Sequence, residues 1–455
     1  MLRLRTPPSR PPDAHGGAGT SPLTPAAARA LARRGLRPDD VARVLRRIAE
    51  ALPHLELSEW RLAADADSAA EVRVHALGSR ALALQCQLPL AGARLASLVR
   101  SPTGRVARSD RLILRDMADE ARHLLERPGG ARGSLADFGL ATFSRAVARL
   151  VRPHLEWEAV SGTLRSLQAL ASETYEGHRI AYGLIFTTRA RRGDAPALSF
   201  ENQRFKTLTD GFSTALLLDR RGGLAGLVAL VASREAVRSR LARPWWFSSL
   251  ADTAARVGGV GVALTRSGDL LVAHRRELVV SQRSGLWMLW RHSGLLGRIR
   301  RSWRTGGRGG EADRVVVAMY RVALELALRR SGGLLVVASS REGGRRLVVS
   351  KGDLLGSPRR PAEERQLDKS LEGQVVQRAD RRIVADLASI DGALIVDGTG
   401  RLMAYGAMVR TSSSASTQGA RSRAAVAASR HGLAMKVSSD GGIAVYRHGN
   451  LVVSL

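Results

Sequence analysis

Cysteine is nearly absent, Cys86 being the only one in 455 residues. No disulfide framework can form within the chain, which excludes the small cross-linked secreted folds and predicts a reducing, cytoplasmic setting. Lysine is almost as scarce: of 71 basic residues, only Lys206, Lys351, Lys369 and Lys436 are lysines. Long apolar runs are missing too. "GLAGLVALVAS" (Gly223–Ser233) stops far short of the ~20 residues that a bilayer span requires, so no membrane partner is expected. The opening "MLRLRTPPSRPPDAHGGAGTSP" is basic but lacks the apolar stretch of a secretory signal. No HExxH, CxxC, GxSxG or GxxxxGK[ST] pattern occurs, which leaves out zinc proteases, dithiol redox sites, serine hydrolases of the elbow type and P-loop ATPases.

Positive charge is what abounds, with a formal net charge of +30. It predicts weak, non-specific nucleic-acid binding at low salt, although a general overuse of arginine explains the excess without a dedicated site. "SGLWMLWRHSGLLGRIRRSWRTGGRGG" mixes three tryptophans with arginines and could stack on and neutralise a single strand. Its glycines favour a half-buried hairpin followed by a basic linker. Trp245-Trp246-Phe247 reads as a packing anchor, Cys86, on an alternating strand, as core, and His448 as a surface residue.

The length suits two or three domains. Residues 1–22, rich in Pro, Gly and Ser, predict a disordered tail. "SPLTPAAARALARRGL" reads as a helix with Thr24 as N-cap and Pro25 at its first position. "RPDDVARVLRRIAEAL" follows as an amphipathic helix with Val41, Val44, Leu45, Ile48 and Leu52 on one face. Residues 23–305 form an α+β region, with strands at "EVRVHAL" and "RALALQCQLPL", a helix ending on Gly129, and hairpins over Ser213–Leu230 and Val260–Val280. A Gly-rich linker, 306–312, precedes a second unit, 313–455. There an apolar helix stops at Gly332-Gly333 and "LLVVAS" makes a hairpin with "RRLVVS". A polar loop, a helix over "EGQVVQRADRRIVADLASI" and the strand–turn–strand "DGALIVDGTGRLMAYGAM" come next. A helix "GARSRAAVAASRHG" and the strands "LAMKVS" and "GIAVYRHGNLVVS" close the chain. The fold class is α/β.

Three pieces of this second unit carry chemistry. In Asp391-Gly392-Ala393 a hard carboxylate stands at a strand start beside a glycine that lets a metal and a nucleotide approach the backbone. In Thr411–Arg423, small hydroxyl residues (Thr411, Ser412) and Gly419-Ala420 lead into a helix whose first turn carries Arg421, Ser422 and Arg423. A helix N-terminus and arginine forks both suit phosphate oxygens. The turn Val437–Gly442 brings a second carboxylate, Asp440, next to Ser439. Together they describe a nucleotide-phosphate site with a divalent ion.

The order of these motifs resembles the diadenylate cyclase (DAC) domain, the nucleotide-binding domain of the bacterial DNA-integrity scanning protein and its relatives. The likeness spans Asp313–Leu455; residues 23–305 resemble the sensor-like regions fused ahead of such domains. The resemblance implies a mixed twisted sheet flanked by helices that condenses two ATP to cyclic di-AMP and two pyrophosphates with Mg or Mn. Two domains would face each other, each holding one ATP, so self-association is expected. It further implies that Asp391 binds the metal and favours the attacking hydroxyl. Gly392, Ala393, Thr411, Ser412, Gly419, Ala420, Ser422 and Ser439 would line the nucleotide. Arg421 and Arg423 would hold the triphosphate, and Asp440 would add a metal contact. The family's helix start reads Arg-His-Arg, whereas here it is Arg421-Ser422-Arg423. Ser439 stands where many members have an acid or Gln. A domain that binds ATP or cyclic di-AMP without turning it over is the alternative, and a basic nucleic-acid-binding protein the second.

Overall fold

The computed structural model describes residues 21–455 apart from 34–35, 63–71, 78–79, 89–92, 102–105, 127–134, 151–154, 188–195, 197, 201, 232–240, 304–308 and 412–418. The chain is an α/β protein of twisted mixed sheets flanked by helices. The expected tail falls almost wholly outside the described residues, as do Gly129 and Ser412.

The Thr24 hydroxyl accepts a hydrogen bond from Ala27 N–H (3.3 Å), and Pro25 opens α1 (Pro25–Arg33), the cap and first-turn proline the sequence predicts. α2 (Pro38–Ala51) buries Val41, Val44, Leu45 and Ile48, with Leu52 buried just beyond it. The strands β1 (Glu56–Leu57), β2 (Arg61–Leu62), β3 (Val72–Ala76), β4 (Ala81–Leu88) and β5 (Ala93–Arg100) form one sheet, ordered β1-β5-β4-β3 with β2 also on β5. Cys86 is buried on β4. Three helices, α3 (Arg108–Glu126), α4 (Leu135–Leu150) and α5 (Trp157–Leu170), lead to a small ribbon of β6 (Thr174–Tyr175) and β7 (His178–Arg179).

A seven-stranded sheet follows. Its elements are β8 (Tyr182–Phe186), α6 (Gln203–Lys206), β9 (Thr214–Leu218), β10 (Leu224–Ala229), α7 (Ser248–Arg256), β11 (Val260–Leu264), β12 (Leu270–His274), β13 (Glu277–Arg283) and β14 (Leu286–Leu289), in the order β10-β9-β8-β11-β12-β13-β14. Both expected hairpins are present. The basic stretch expected as a linker is instead α8 (His292–Trp303), because Leu295, Ile299 and Trp303, four apart, bury one helical face. Trp287 and Trp290 are buried as well, so none of the three tryptophans offers a stacking platform.

The last unit comprises α9 (Gly309–Leu328), β15 (Gly333–Ala338), α10 (Arg341–Leu347), α11 (Ala362–Leu371), α12 (Arg381–Ser389), β16 (Ala393–Val396), β17 (Leu402–Ala407), α13 (Ala420–Ser429), β18 (Gly432–Val437), β19 (Ile443–Arg447) and β20 (Asn450–Ser454), with its sheet ordered β17-β16-β15-β18-β19-β20. Four expectations change here. Gly309–Ala312, expected in the linker, are the first turn of α9. That helix ends at Leu328 through Arg330 in the left-handed region (φ 54°), while Gly333 already belongs to β15. No hairpin follows β15: Ser340 caps α10 by accepting Gly343 N–H (3.0 Å), and Val348 pairs with Val409 instead. The polar loop contains α11, and the next helix starts only at Arg381, capped by Asp380. Among the described residues no helix is long and apolar enough to cross a membrane.

The layers share cores. One apolar cluster joins α1–α5 to the first sheet and one face of the seven-stranded sheet. A second joins the opposite face, through Ile185, Leu250 and Leu271, to α8, α9 and the face of the last sheet that carries Leu335, Leu394 and Met435. The other face of the last sheet packs on α10 and α13.

The chain repeats itself. In each large sheet a buried strand (β8, β15) pairs parallel with the next (β9, β16) and antiparallel with a later one (β11, β18), and that later strand continues through an antiparallel meander. The turns agree bond for bond. Asp219 Oδ1 accepts from Arg221 N and Gly223 N with Gly222 at φ 79°, while Asp397 Oδ1 accepts from Thr399 N and Arg401 N with Gly400 at φ 86°. Gly268 N donates to Thr265 O at φ 81°, and Gly441 N to Ser438 O at φ 88°. Arg275-Arg276 and His448-Gly449 both turn their hairpins with two positive φ values. A methyl group on Gly259 or on Gly432 would overlap a carbonyl oxygen of β8 or β15, respectively, the oxygens being those of Phe186 and Val337. We call α5–β13 the first repeat and α9–β20 the second.

Candidate functional site

Three chain segments meet at one end of the last sheet. β15 starts at Gly333, which pairs with Val437 at the end of β18, and Leu334 pairs with Ala393 at the start of β16. Asp391-Gly392, just ahead of β16, therefore lies beside Gly332 and the Ser438–Gly442 turn.

Gly392 has φ 111°, and a methyl group there would overlap the Gly406 carbonyl carbon and lie 2.6 Å from its oxygen. Only glycine permits this close approach of the β16 and β17 backbones. Ala393 is buried. The Asp391 side chain stands about 90% exposed. Its Oδ1 accepts Gly392 N–H (3.1 Å) and lies 3.6 Å from Arg421 Nη2; Oδ2 has no partner among the described residues.

Arg421 comes from the first turn of α13. Gly419 caps this helix without a side-chain hydrogen bond, and no acidic residue sits in its first turn, so the N-terminal dipole is uncompensated. Arg421 lies over Gly332, where even a Cβ would collide with its Nη1. Gly332, read from the sequence as a helix stop, thus makes room for the guanidinium. Arg423, two positions on, is exposed and does not share Arg421's side of the helix. Ser422 accepts a hydrogen bond from Lys436 Nζ (2.9 Å). Lys436, on β18, was not singled out from the sequence; its signal was there in being one of four lysines, placed one residue before a strand ends at the candidate turn.

Ser439 and Asp440 are exposed on that turn, where Asp440 Oδ1 accepts Gly442 N–H (3.1 Å). The turn is held from the first repeat. Arg283, at the end of β13, donates Nη1 to Gly441 O (2.9 Å) and Nη2 to Ala327 O (2.6 Å) and Asp440 O (3.3 Å). Its Nε lies 3.5 Å from Asp269, which also pairs with Arg330 (2.5 Å). Burial pushes the Arg283 guanidinium below its ordinary value, against the pull of Asp269 and Asp440. No sequence pattern pointed to Arg283. Asp440 therefore faces Arg283 of the first repeat and Arg330 of the second as well as the site end of the sheet. Thr411 and Ala420 are exposed. Among the described residues no group of three or more His, Cys, Asp or Glu gathers as a metal cage. A magnesium-type ion that keeps waters and needs one carboxylate plus ligand phosphates still fits the open Asp391 Oδ2.

No family model and no curated protein matches the chain. Among solved structures it is similar to a double mutant of DacA from Staphylococcus aureus, with 18% identity over 31% of this chain and 87% of that one and a TM-score of 0.22. It is also similar to a hypothetical membrane spanning protein from Bacillus cereus, with 16% identity over 35% and 69% and a TM-score of 0.25. At such scores the likeness carries no functional argument.

Proposed function

We propose that the second repeat is a nucleotide-binding domain of the diadenylate cyclase type, which condenses two ATP into cyclic di-AMP. The observation that carries this reading is the approach of Arg421 to Asp391, 3.6 Å across a gap between a strand start and an uncapped helix start. In this reading Asp391 would hold Mg or Mn through its open oxygen, and the ion would neutralise phosphate charge. The triphosphate lies over the α13 N-terminus, where Arg421 and the Lys436–Ser422 pair offset its charge. The 3′-hydroxyl of one ATP attacks the α-phosphorus of the other, the bond to the bridging oxygen breaks, and pyrophosphate leaves as the hydroxyl proton passes to solvent; the reciprocal attack closes the ring and releases the second pyrophosphate and proton. Such transfer depends on positioning and charge neutralisation, which these side chains supply. The Asp391–Arg421 pair is exposed and so weakly held, which leaves both groups ready for a ligand.

Ser422 favours a second reading, a domain that binds the nucleotide without turning it over, because a hydroxyl cannot supply the cationic contact of the family's histidine. Labelled ATP with manganese, followed by separation of products, decides between them. Cyclic di-AMP from the wild type and none from Asp391→Asn supports the cyclase; ATP binding without product supports the second reading. Calorimetry that registers no heat with ATP and manganese sinks both. In either reading the N-terminal helices and first repeat would act as a sensory region.

A further inference from the structure

The two repeats can be aligned residue by residue through their backbone pairings. Leu216 pairs with Leu184 as Leu394 pairs with Leu335, and the Asp219 and Asp397 turns follow at the same distance, which sets Ser213 where the second repeat has Asp391. Gly259 and Gly432, each packed against one β carbonyl, set the alignment of the other half. It places Ser248 at Arg421, Leu250 at Arg423 and Ala263 at Lys436.

Every charged group of the candidate site is thus missing from the first repeat; Ser213 is exposed but uncharged, and the places of Arg421, Arg423 and Lys436 are closed. Ser248 and Leu250 are buried, with Ser248 Oγ bonded to Pro244 O (3.2 Å). Trp245 N–H, just ahead of α7, donates to Oε2 of Glu325 (2.9 Å), a fully buried carboxylate of α9 in the second repeat. The nearby Asp210 spends both oxygens locally, Oδ1 on the N–H groups of Phe212, Ser213 and Thr214 and Oδ2 on the Ser213 hydroxyl. Among the described residues no cation stands at the positions of Arg421, Arg423 and Lys436 and no carboxylate at those of Asp391 and Asp440; Arg266 stands at that of Ser439, and Arg382 lies over the Trp245 ring.

We propose that the first repeat is an emptied copy of the nucleotide-binding fold that has become the support of the working one: the chain binds one nucleotide, and Arg283 is a positioning residue that holds the Ser438–Gly442 turn of the second repeat. This rests on the nucleotide reading above. The Arg283 side chain joins the equivalent turns of the two repeats, contacting Asp269 of the first and the Asp440 and Gly441 carbonyls of the second. The turn carries Ser439 and Asp440, so a loose turn weakens the nucleotide contacts without touching Asp391 or Arg421.

The test uses the full chain with ATP and manganese. Equilibrium dialysis should give one nucleotide per chain, and none for Asp391→Asn. Arg283→Gln should weaken ATP binding about tenfold, and Arg283→Lys, which can reach a carbonyl with one ammonium, should restore part of the loss. Hydrogen exchange should accelerate at residues 438–442 in Arg283→Gln while β11 and β12 keep wild-type protection, a pattern that general destabilisation would not produce. Two nucleotides per chain overturn the emptied repeat. Unchanged affinity in Arg283→Gln, or exchange that rises equally in both repeats, overturns the positioning role. Absence of all ATP binding defeats the nucleotide reading instead, and the exchange arm still decides whether Arg283 holds the turn.

Discussion

Alanine at Gly441 and at Gly268 should have very different costs although the two glycines occupy the same turn in the two repeats. Their φ values, 88° and 81°, lie in the same left-handed region, so each substitution carries the same backbone penalty of about 1–2 kcal/mol. At Gly268 the new methyl finds room, its nearest neighbours being Ala171 Cβ and O at 3.7 Å. At Gly441 it overlaps Arg283 Nη2 and sits 2.6 Å from Ala327 O. The guanidinium has to withdraw and give up its bonds to Gly441, Ala327 and Asp440. Charge-assisted bonds are worth roughly 1.5–3 kcal/mol each before the freed carbonyls regain water, so an excess of about 3 kcal/mol over Gly268→Ala is a fair expectation. Urea unfolding of both variants beside the wild type checks it, with the midpoint of Gly441→Ala displaced well beyond that of Gly268→Ala. Equal displacement would mean that Arg283 contributes nothing at the turn, and the link between the repeats would have to be abandoned.

His292 is buried, with Nδ1 against Tyr320 Oη (2.9 Å) and Nε2 against Leu278 O (2.8 Å), and burial drives its pKa down to about 4. Between pH 6.5 and 4 the unfolded chain takes up a proton that the folded one refuses, so stability should fall through that window as pH drops, by about 3 kcal/mol for the full shift. Denaturant midpoints against pH test this, and His292→Gln should flatten the slope. Lys436→Met removes the ammonium bonded to Ser422 and should weaken ATP binding about tenfold, or about 1.4 kcal/mol, with an unaltered melting temperature; unchanged binding in calorimetry would remove Lys436 from the site. Gly392→Ala forces a side chain into the Gly406 peptide and should cost at least about 3 kcal/mol, seen as a large loss in melting temperature, and a variant that melts like the wild type would contradict the close approach of β16 and β17.

The amphipathic helices, the strands on β4 and both hairpins were legible because burial imposes a period of 3.6 or 2 on the apolar residues, and Thr24-Pro25 marks a helix start by local chemistry alone. The α10–α11 crossover was not. "LLVVAS" and "RRLVVS" look like hairpin arms, and only the parallel pairing of β15 with β16 requires a helical crossover between them. Asp391 and Arg421 could be named from their motifs, whereas Arg283, 157 residues before Asp440, could not, since nothing in the chain near it resembles a site. The repeat is hard to read from the sequence because it survives in few letters: from Gly259 to Val280, only Gly259, Gly268, Val272, Leu278, Val279 and Val280 recur at Gly432, Gly441, Val445, Leu451, Val452 and Val453. What the repeats share is mostly hydrogen-bond geometry, and backbone bonds leave little trace in side-chain identity.

That duplication separates the demands of the fold from those of a site. Features present in both repeats belong to the backbone: the Asp219 and Asp397 turns, the Gly268 and Gly441 turns, the glycines packed on β8 and β15. A carboxylate at the start of β16 is not among them, because the first repeat begins the same strand with Ser213 and Thr214 and pairs it in the same register. An arginine in the first turn of α13 is not needed to start that helix either, since α7 starts with Ser248. Asp391, Arg421 and Lys436 are therefore free of any structural duty that this topology imposes, and they converge at one sheet end where an exposed carboxylate, an uncapped helix and two cations lie together. An exposed carboxylate paired at 3.6 Å with a half-exposed arginine adds little to stability, so the presence of Asp391 and Arg421 in the second repeat alone is what the proposed nucleotide site accounts for.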